Sequence, residues 1–496
     1  MTTTTAPVDP SRVLDEAIAA LNTPGAPLPL ESVDRALKAA PNDPRLWHVK
    51  GLIHRQHERR ELAIPAFRRA ADLAPNEPLI VRGLARVLLE AGLPCVNEFV
   101  RAMKVAPNNP EVIKGLVAAL MADGRAAEAI AGLEQALHRS PLWTDGHVLL
   151  AQMRWAEGER EGFTRSFDEA VAQHPNSLEL RREQLVALLE ARHFDDVLAR
   201  VEQGRSLFGD HILFMSHEAG ARSESGDLDA ADALFNELAK LDYANIEMWH
   251  VRHLLHAGRP AEASAIMDRW LDTQDQGLFW HYASSAWRLT DDPRSPWLEG
   301  DERLVGVYDI GDRLPPLDDL AETLRKLHVA KSEFHSQSVR GGTQTDGNLF
   351  QRIEPEIVAL REAIRRTVAE HAAQLPPVDP KHPLLRSRPE MVQFTGSWSV
   401  RLVGGGFHAN HVHPMGWLSS ALYIALPPDL GKEQAGWLTL GEPQAELNLD
   451  LPPHRMVEPK PGRLALFPSW MWHGTRPFGE GERLTVAFDV ARGPDG

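Results

Sequence analysis

Apolar positions fall into two textures along the 496-residue chain. Through most of the first 290 residues they recur at three- and four-residue spacings in short blocks, the stripe of amphipathic helices. The blocks themselves repeat. "APND" begins at Ala40, "APNE" at Ala74, "APNN" at Ala106, "SPLW" at Ser140 and "HPNS" at His174. The prolines therefore stand at 41, 75, 107, 141 and 175, spaced by 34, 32, 34 and 34 residues. Trp47, Gly51, Ala63, Phe67 and Ala70 lead to Pro75; Ala129, Leu133 and Ala136 lead to Pro141; Phe163, Phe167 and Ala170 lead to Pro175. The pattern predicts helix pairs in which small residues let two antiparallel helices approach, and proline ends the second helix of each pair. Beyond Pro175 the proline is lost, but "ESGDLDAADALFNELAKLD" (224–242) and "HAGRPAEASAIMDRWLD" (256–272) still read as turn plus helix.

A period of 34 is the length of the tetratricopeptide repeat, and the aromatic, small and proline positions above resemble that repeat. Seven or eight units fit between residues 12 and 290, the last ones degenerate, in a solenoid domain expected to span 12–295. The resemblance implies a concave groove that holds a peptide or a partner protein. A scaffold for dimerisation is the competing use of such an array.

The period then stops. "RLTDDPRSPWLEGDERLV" (288–305) is charged and aperiodic, which opens a stretch, 296–390, expected to be linker and supporting helices. Ile353, Ile357, Leu360, Ile364 and Val368 form a helical stripe there, and the prolines of 376–389 end it. From 391 to 496 the texture becomes short apolar runs divided by Gly and Pro: "VQFTGSWSVRLV", "SSALYIALP", "GWLTLG", "GRLALFP" and "RLTVAFDV". Several such strands at close spacing predict a sandwich or barrel.

Composition narrows the function. A formal charge of −16 argues against a nucleic-acid-binding protein, which needs concentrated Lys and Arg. Cys95 is the only cysteine, so intramolecular disulfides are excluded and thiolate zinc sites are disfavoured. No run approaches the 18 or so apolar residues of a membrane span. The opening "MTTTTAPVDPSRVLDEAI" has no basic segment followed by an apolar one, so no export signal is expected and the chain reads as cytoplasmic.

The chemistry concentrates in "HANHVHPMGWLSSALYIAL", residues 408–426. His411 and His413 stand two apart before a strand, a spacing that points both rings the same way on extended backbone. His473, in "LFPSWMWHGT", is the candidate third ligand, and Arg483 follows ten residues later, where a cation would point into the barrel. Imidazole nitrogens suit iron(II), and open coordination positions would admit oxygen and a chelating dicarboxylate. His408 reads as a rim residue. Trp470 and Trp472 are expected on one face, as a wall of the site or as core.

These residues resemble the 2-oxoglutarate- and iron(II)-dependent oxygenases, whose motif is His-X-Asp/Glu, a distant His, and an Arg about ten positions on. The resemblance extends to prolyl-hydroxylase-like members, to the aspartyl/asparaginyl β-hydroxylases, and to bacterial oxygenases joined to tetratricopeptide repeats with motifs like "QSVRGGTQT" (337–345) and "HxHP". It implies a double-stranded β-helix, or jelly roll, with supporting helices. His411, His413 and His473 would be the metal-binding and catalytic histidines, and Arg483 and Tyr423 would bind the far carboxylate of 2-oxoglutarate. Iron(II), 2-oxoglutarate and O2 are the implied cofactor and co-substrates, succinate and CO2 the by-products, and a peptide or protein side chain the implied target. One departure stands out: His413 occupies the position of the triad's acid. Either three neutral histidines hold the metal, or His411 and His473 hold it with His413 behind them. A thiol-dioxygenase-like site without 2-oxoglutarate, an oxygenase for a small metabolite and a non-catalytic adaptor are the rival readings.

Overall fold

The structure, a computed structural model, describes residues 9–23, 25–333 and 337–493. Residues 1–8, part of the stretch read as lacking an export signal, lie outside the described residues. The chain forms two compact units, one of residues 1–140 with 347–358 and one of residues 141–346 with 359–496.

The first unit holds four helix pairs: Pro10–Leu21 with Leu30–Ala39, Pro44–Gln56 with Arg60–Leu73, Pro78–Glu90 with Val96–Val105, and Pro110–Ala122 with Ala126–Arg139. The sequence sets each boundary. The second helices end at Ala39, Leu73, Val105 and Arg139, two residues before each repeat proline. Asp43 and Asn109 then cap the next helix by accepting from backbone N–H groups, and each helix opens with a proline, whose missing N–H would have been unpaired there anyway. The repeat glycines mark where helices touch. A Cβ on Gly51 would lie 2.8 Å from the Phe67 ring, and one on Gly115 would lie 2.1 Å from that of Phe99. The 347–358 segment belongs here because Ile353 packs on this core and Arg352 Nη2 donates to the Gly92 carbonyl at 3.4 Å.

The second unit begins with four more pairs: Thr144–Ala156 with Arg165–Gln173, Leu178–Glu190 with Phe194–Phe208, Ile212–Ser225 with Leu228–Leu238, and Ala244–His256 with Pro260–Met267. The helix Trp280–Leu289 follows. The repeat proline keeps a fixed partner: His147 and Arg181, each six residues past theirs, bond the carbonyls of Pro141 (3.0 Å) and Pro175 (3.1 Å). The array is a tetratricopeptide-repeat solenoid, as the 34-residue period predicts.

Among the described residues nine strands complete this unit: β1 (Gly306–Asp309), β2 (Val339–Gln344), β3 (Phe394–His408), β4 (Leu418–Ala425), β5 (Leu438–Leu440), β6 (Arg455–Val457), β7 (Arg463–Pro468), β8 (His473–Thr475) and β9 (Glu482–Val490). They form two antiparallel sheets, one of six strands in the order β1-β7-β4-β9-β3-β2 and one of three in the order β6-β5-β8. This is the expected jelly-roll double-stranded β-helix. The two edge strands of the six-stranded sheet come from the 296–390 stretch that the apolar pattern marks as linker and helices. β1 is only four residues long, and β2, "VRGGTQ", has a single large apolar residue and bulges between Arg340 and Gly342, so neither carries an alternating signal. The helix expected from the 353–368 stripe spans Pro355–Gln374 and buries Ile357, Leu360, Ile364 and Val368.

Repeats and strands of the second unit share one core. Val251, Leu254, Phe279, Ala283 and Trp287 pack in the same cluster as Leu438, Phe467, Trp470 and Trp472. Trp472 Nε1 donates to the His281 carbonyl at 2.9 Å and to Ser285 Oγ at 3.1 Å, which ties the strand segment to the 280–289 helix. The two tryptophans are thus core. No helix among the described residues is long and apolar enough to cross a membrane.

Two predictions follow from this packing. Gly115→Ala should destabilise the protein by about 1–3 kcal/mol, because the buried Phe99 ring has nowhere to go. Gly132→Ala, on an open helix face, should stabilise by up to about 1 kcal/mol. Urea unfolding of both variants checks the pair; equal effects would contradict the close-approach account.

Buried histidines give the fold an acid limit. Burial pushes His281 down to about 3 and His328 and His371 down to about 4, from an ordinary 6.5. The unfolded chain therefore takes up these protons before the folded one does. Stability should be full above about pH 6.5 and decline as pH falls toward 4, by at most about 1.4 kcal/mol per group per unit. The urea midpoint should drop between about pH 7 and pH 5, and less steeply in His281→Phe.

Candidate metal and co-substrate site

Two segments far apart in sequence meet at a two-residue bridge. The His411 N–H donates to the His473 carbonyl at 2.9 Å and the His473 N–H returns a bond to the His411 carbonyl at 3.0 Å. The His413 N–H continues the contact by donating to the Ser469 carbonyl at 2.8 Å. This brings the three rings together, with centroids of 411 and 473 only 4.1 Å apart and that of 413 at 5.0 and 5.3 Å from them. One ring nitrogen from each of His411, His413 and His473 lies within 4.8 Å of the others.

The rings are oriented by what they bond on the far side. His411 Nδ1 meets the Ala409 carbonyl at 2.9 Å, and His473 Nδ1 meets that of Met471 at 2.9 Å. His413 Nδ1 meets a carboxylate oxygen of Asp489 at 2.6 Å. A carbonyl or carboxylate can only accept, so each Nδ1 carries the proton and each Nε2 lone pair is left for a ligand. Burial, reinforced by the neighbouring histidines, holds His411 and His473 well below the ordinary imidazole range, so both stay neutral donors. Ser338 Oγ, 3.2 Å from His411 Nε2 and 3.2 Å from His408 Nδ1, is placed to donate to either ring. His408 thus stands beside the cluster and outside it, pushed down to about 3 by burial and then by Arg483.

The histidines line a cavity of about 730 Å³ that Arg483 also enters. Arg483 is paired across the sheet with Leu402 and is 1% exposed. Its Nε and Nη1, and the Tyr423 hydroxyl, have no well-formed hydrogen bond within the described residues. The guanidinium carbon lies 5.0 Å from the Tyr423 ring centroid, a cation–π contact. Burial lowers the guanidinium below its ordinary value and raises the phenol. A buried cation with unmet donors is costly unless an anion joins it.

The arrangement also contains residues the apolar pattern does not reveal. Asp489, one residue from the end of β9, backs His413. Gln337, Ser338, Arg340 and Gln344, from the "QSVRGGTQT" segment, line the cavity. The opposite wall comes from the repeats, as Leu189, Met248, Trp249, Arg252 and Tyr282. Arg252 holds that wall in place by bonding Glu224 at 2.6 Å and Gln444 at 2.7 Å. The 337–345 motif was visible in the sequence, whereas only the pairing of distant elements reveals the repeat residues; for Asp489 the one available signal was its alternation with Arg483 on a strand.

Residues 396–489 match the family model described as "Putative 2OG-Fe(II) oxygenase". Among solved structures, the chain is similar to MamA (41-end) from Desulfovibrio magneticus RS-1, at 17% identity over 35% of this chain and 99% of that one, with a TM-score of 0.30. It is also similar to yeast Tom70, at 16% identity over 60% of this chain and 68% of that one, with a TM-score of 0.35. No curated protein sequence matches. Likenesses this distant leave the repeat architecture resting on the helices themselves.

If the three Nε2 atoms hold one divalent ion, His411→Ala or His473→Ala should abolish stoichiometric iron uptake. The helical signal in far-ultraviolet circular dichroism should stay unchanged. Elemental analysis after anaerobic loading is the check, and full occupancy in His473→Ala would contradict the geometry.

Proposed function

We propose that this chain is a 2-oxoglutarate- and iron(II)-dependent dioxygenase that hydroxylates a side chain of a peptide or protein presented by its repeats. The observation that carries the reading is Arg483, a buried cation with unmet donors in the same cavity as three converging imidazoles. The donor set fits the missing groups: neutral nitrogens suit iron(II), and the guanidinium suits the far carboxylate of a dicarboxylic acid. A thiol-dioxygenase-like site would use Arg483 only for a thiol substrate that itself carries a carboxylate, and a non-catalytic adaptor would have no use for a buried unpaired charge.

When bound, iron(II) and 2-oxoglutarate supply the oxidising chemistry, in which one atom of O2 enters succinate, released with CO2, and the other enters a substrate C–H bond. The chain's own residues do the rest. His411, His413 and His473 present fixed lone pairs. Arg483 and Tyr423 orient the co-substrate from buried positions, where a charge-assisted contact is stronger than in water. Trp249, Met248 and Tyr282 wall the cavity from the repeat side, which supports a substrate that touches the array while it reacts. The cavity volume is also in the range of small-molecule sites, and this favours a small metabolite as the second reading. A reducing compartment such as the cytoplasm would keep the metal as iron(II).

Removing one partner of a desolvated charge pair costs about 2–5 kcal/mol, so Arg483→Ala should weaken 2-oxoglutarate binding by at least about 30-fold. Iron affinity should barely change, and Arg483→Lys should rescue only in part, because ammonium cannot reproduce the guanidinium fork. Calorimetric titration of manganese-loaded protein measures this. Wild-type protein that ignores 2-oxoglutarate, or Arg483→Ala that binds it equally well, would move the thiol-dioxygenase-like or adaptor reading ahead.

A further inference from the structure

Three neutral imidazoles leave both charges of a divalent metal uncompensated by any ligand, and the three histidines here are not backed alike. His411 and His473 donate hydrogen bonds from Nδ1–H to backbone carbonyls, whereas His413 donates from Nδ1–H to Asp489 Oδ2 at 2.6 Å. The other carboxylate oxygen of Asp489 accepts from Ser419 Oγ at 2.6 Å, and Ser419 Oγ in turn faces Ser469 Oγ at 3.0 Å. Asp489 is 8% exposed, its carboxylate has no lysine or arginine in ion-pair contact among the described residues, and it lines the cavity. Its position is fixed by register: Asp489 pairs with Ser419 across β4 and β9, so the sheet itself sets the carboxylate behind the His413 ring.

We infer that Asp489 is the anionic positioning residue of this metal centre, acting on the ion through His413. A carboxylate on the far nitrogen locks the tautomer and makes Nε2 a stronger donor. It also returns one unit of negative charge to the centre, the unit that an aspartate ligand at position 413 would have supplied. The pair therefore does the electrical work of one carboxylate ligand while leaving a nitrogen on the metal. The inference rests on the reading of His413 as a ligand.

The test uses the full-length, metal-free protein titrated anaerobically with Co²⁺ and followed by ligand-field absorption. Asp489→Asn keeps the shape and an acceptor oxygen but removes the charge. It should weaken Co²⁺ binding on the order of 10- to 100-fold and shift the ligand-field bands. Ser419→Ala, which removes only the structural bond to the same carboxylate, should do far less. In a His413→Ala background, Asp489→Asn should change nothing further. Unchanged affinity and bands in Asp489→Asn, or an equal loss with and without His413, overturns the inference while leaving the metal site standing. A wild type that takes up no stoichiometric Co²⁺ overturns the metal reading itself. A measurement on unmutated protein guards against misfolding. In the Zn²⁺-loaded form, the His413 Nδ1 proton should resonate far downfield of the other two, and its absence there would overturn the inference.

Discussion

The site depends on one pair of backbone hydrogen bonds, those exchanged by His411 and His473. They extend a contact that β4 and β7 begin and that the bond from the His413 N–H to the Ser469 carbonyl continues. Each of the two rings is steered by the same local device, a bond from Nδ1 to the carbonyl two residues earlier. Orientation is thus written into short stretches of chain, and only the meeting of the stretches needs the sheet. His413 is the exception. It is steered by a residue that arrives on another strand, and so its placement depends on the register of β4 against β9.

The sheet sets electrostatics as well as position. Arg483, Thr485, Ala487 and Asp489 alternate along β9, and all four line the cavity. One strand face therefore carries a buried cation at one end and an anion behind the His413 ring at the other. Period-two geometry keeps both on the same side. Sliding β9 by one residue would send both charges into the opposite face, so pairing with Leu402 and Ser419 is as much a part of the site as the ligands.

Much of this was legible because it was written locally or repeated. Pro41, Pro75, Pro107, Pro141 and Pro175 announce the solenoid by recurrence, and His411, His413, His473 and Arg483 announce the oxygenase-like site by spacing. The edge strands were not legible, because "GVYD" is too short and "VRGGTQ" too polar and glycine-rich to alternate. Asp489 was hidden for another reason. In "AFDV" it reads as one more charge on a strand, and its meaning appears only when β9 is set beside β4. The repeat residues of the cavity wall were hidden likewise, since Trp249 and Tyr282 look like any aromatic on a helix. What is missed is what depends on register or on contacts between distant elements.

The shared core has a consequence for how this chain can be divided or inherited. Trp472 reaches into the 280–289 helix, and the barrel's Leu438 and Phe467 lie in one cluster with the repeats' Leu254 and Trp287. A fragment cut at residue 296 would keep His411, His413 and His473 and yet turn that whole apolar face to water. The barrel is therefore no cassette that could be shuffled onto another carrier with its chemistry intact. The last four repeats are a structural layer of the unit that carries the histidine cluster.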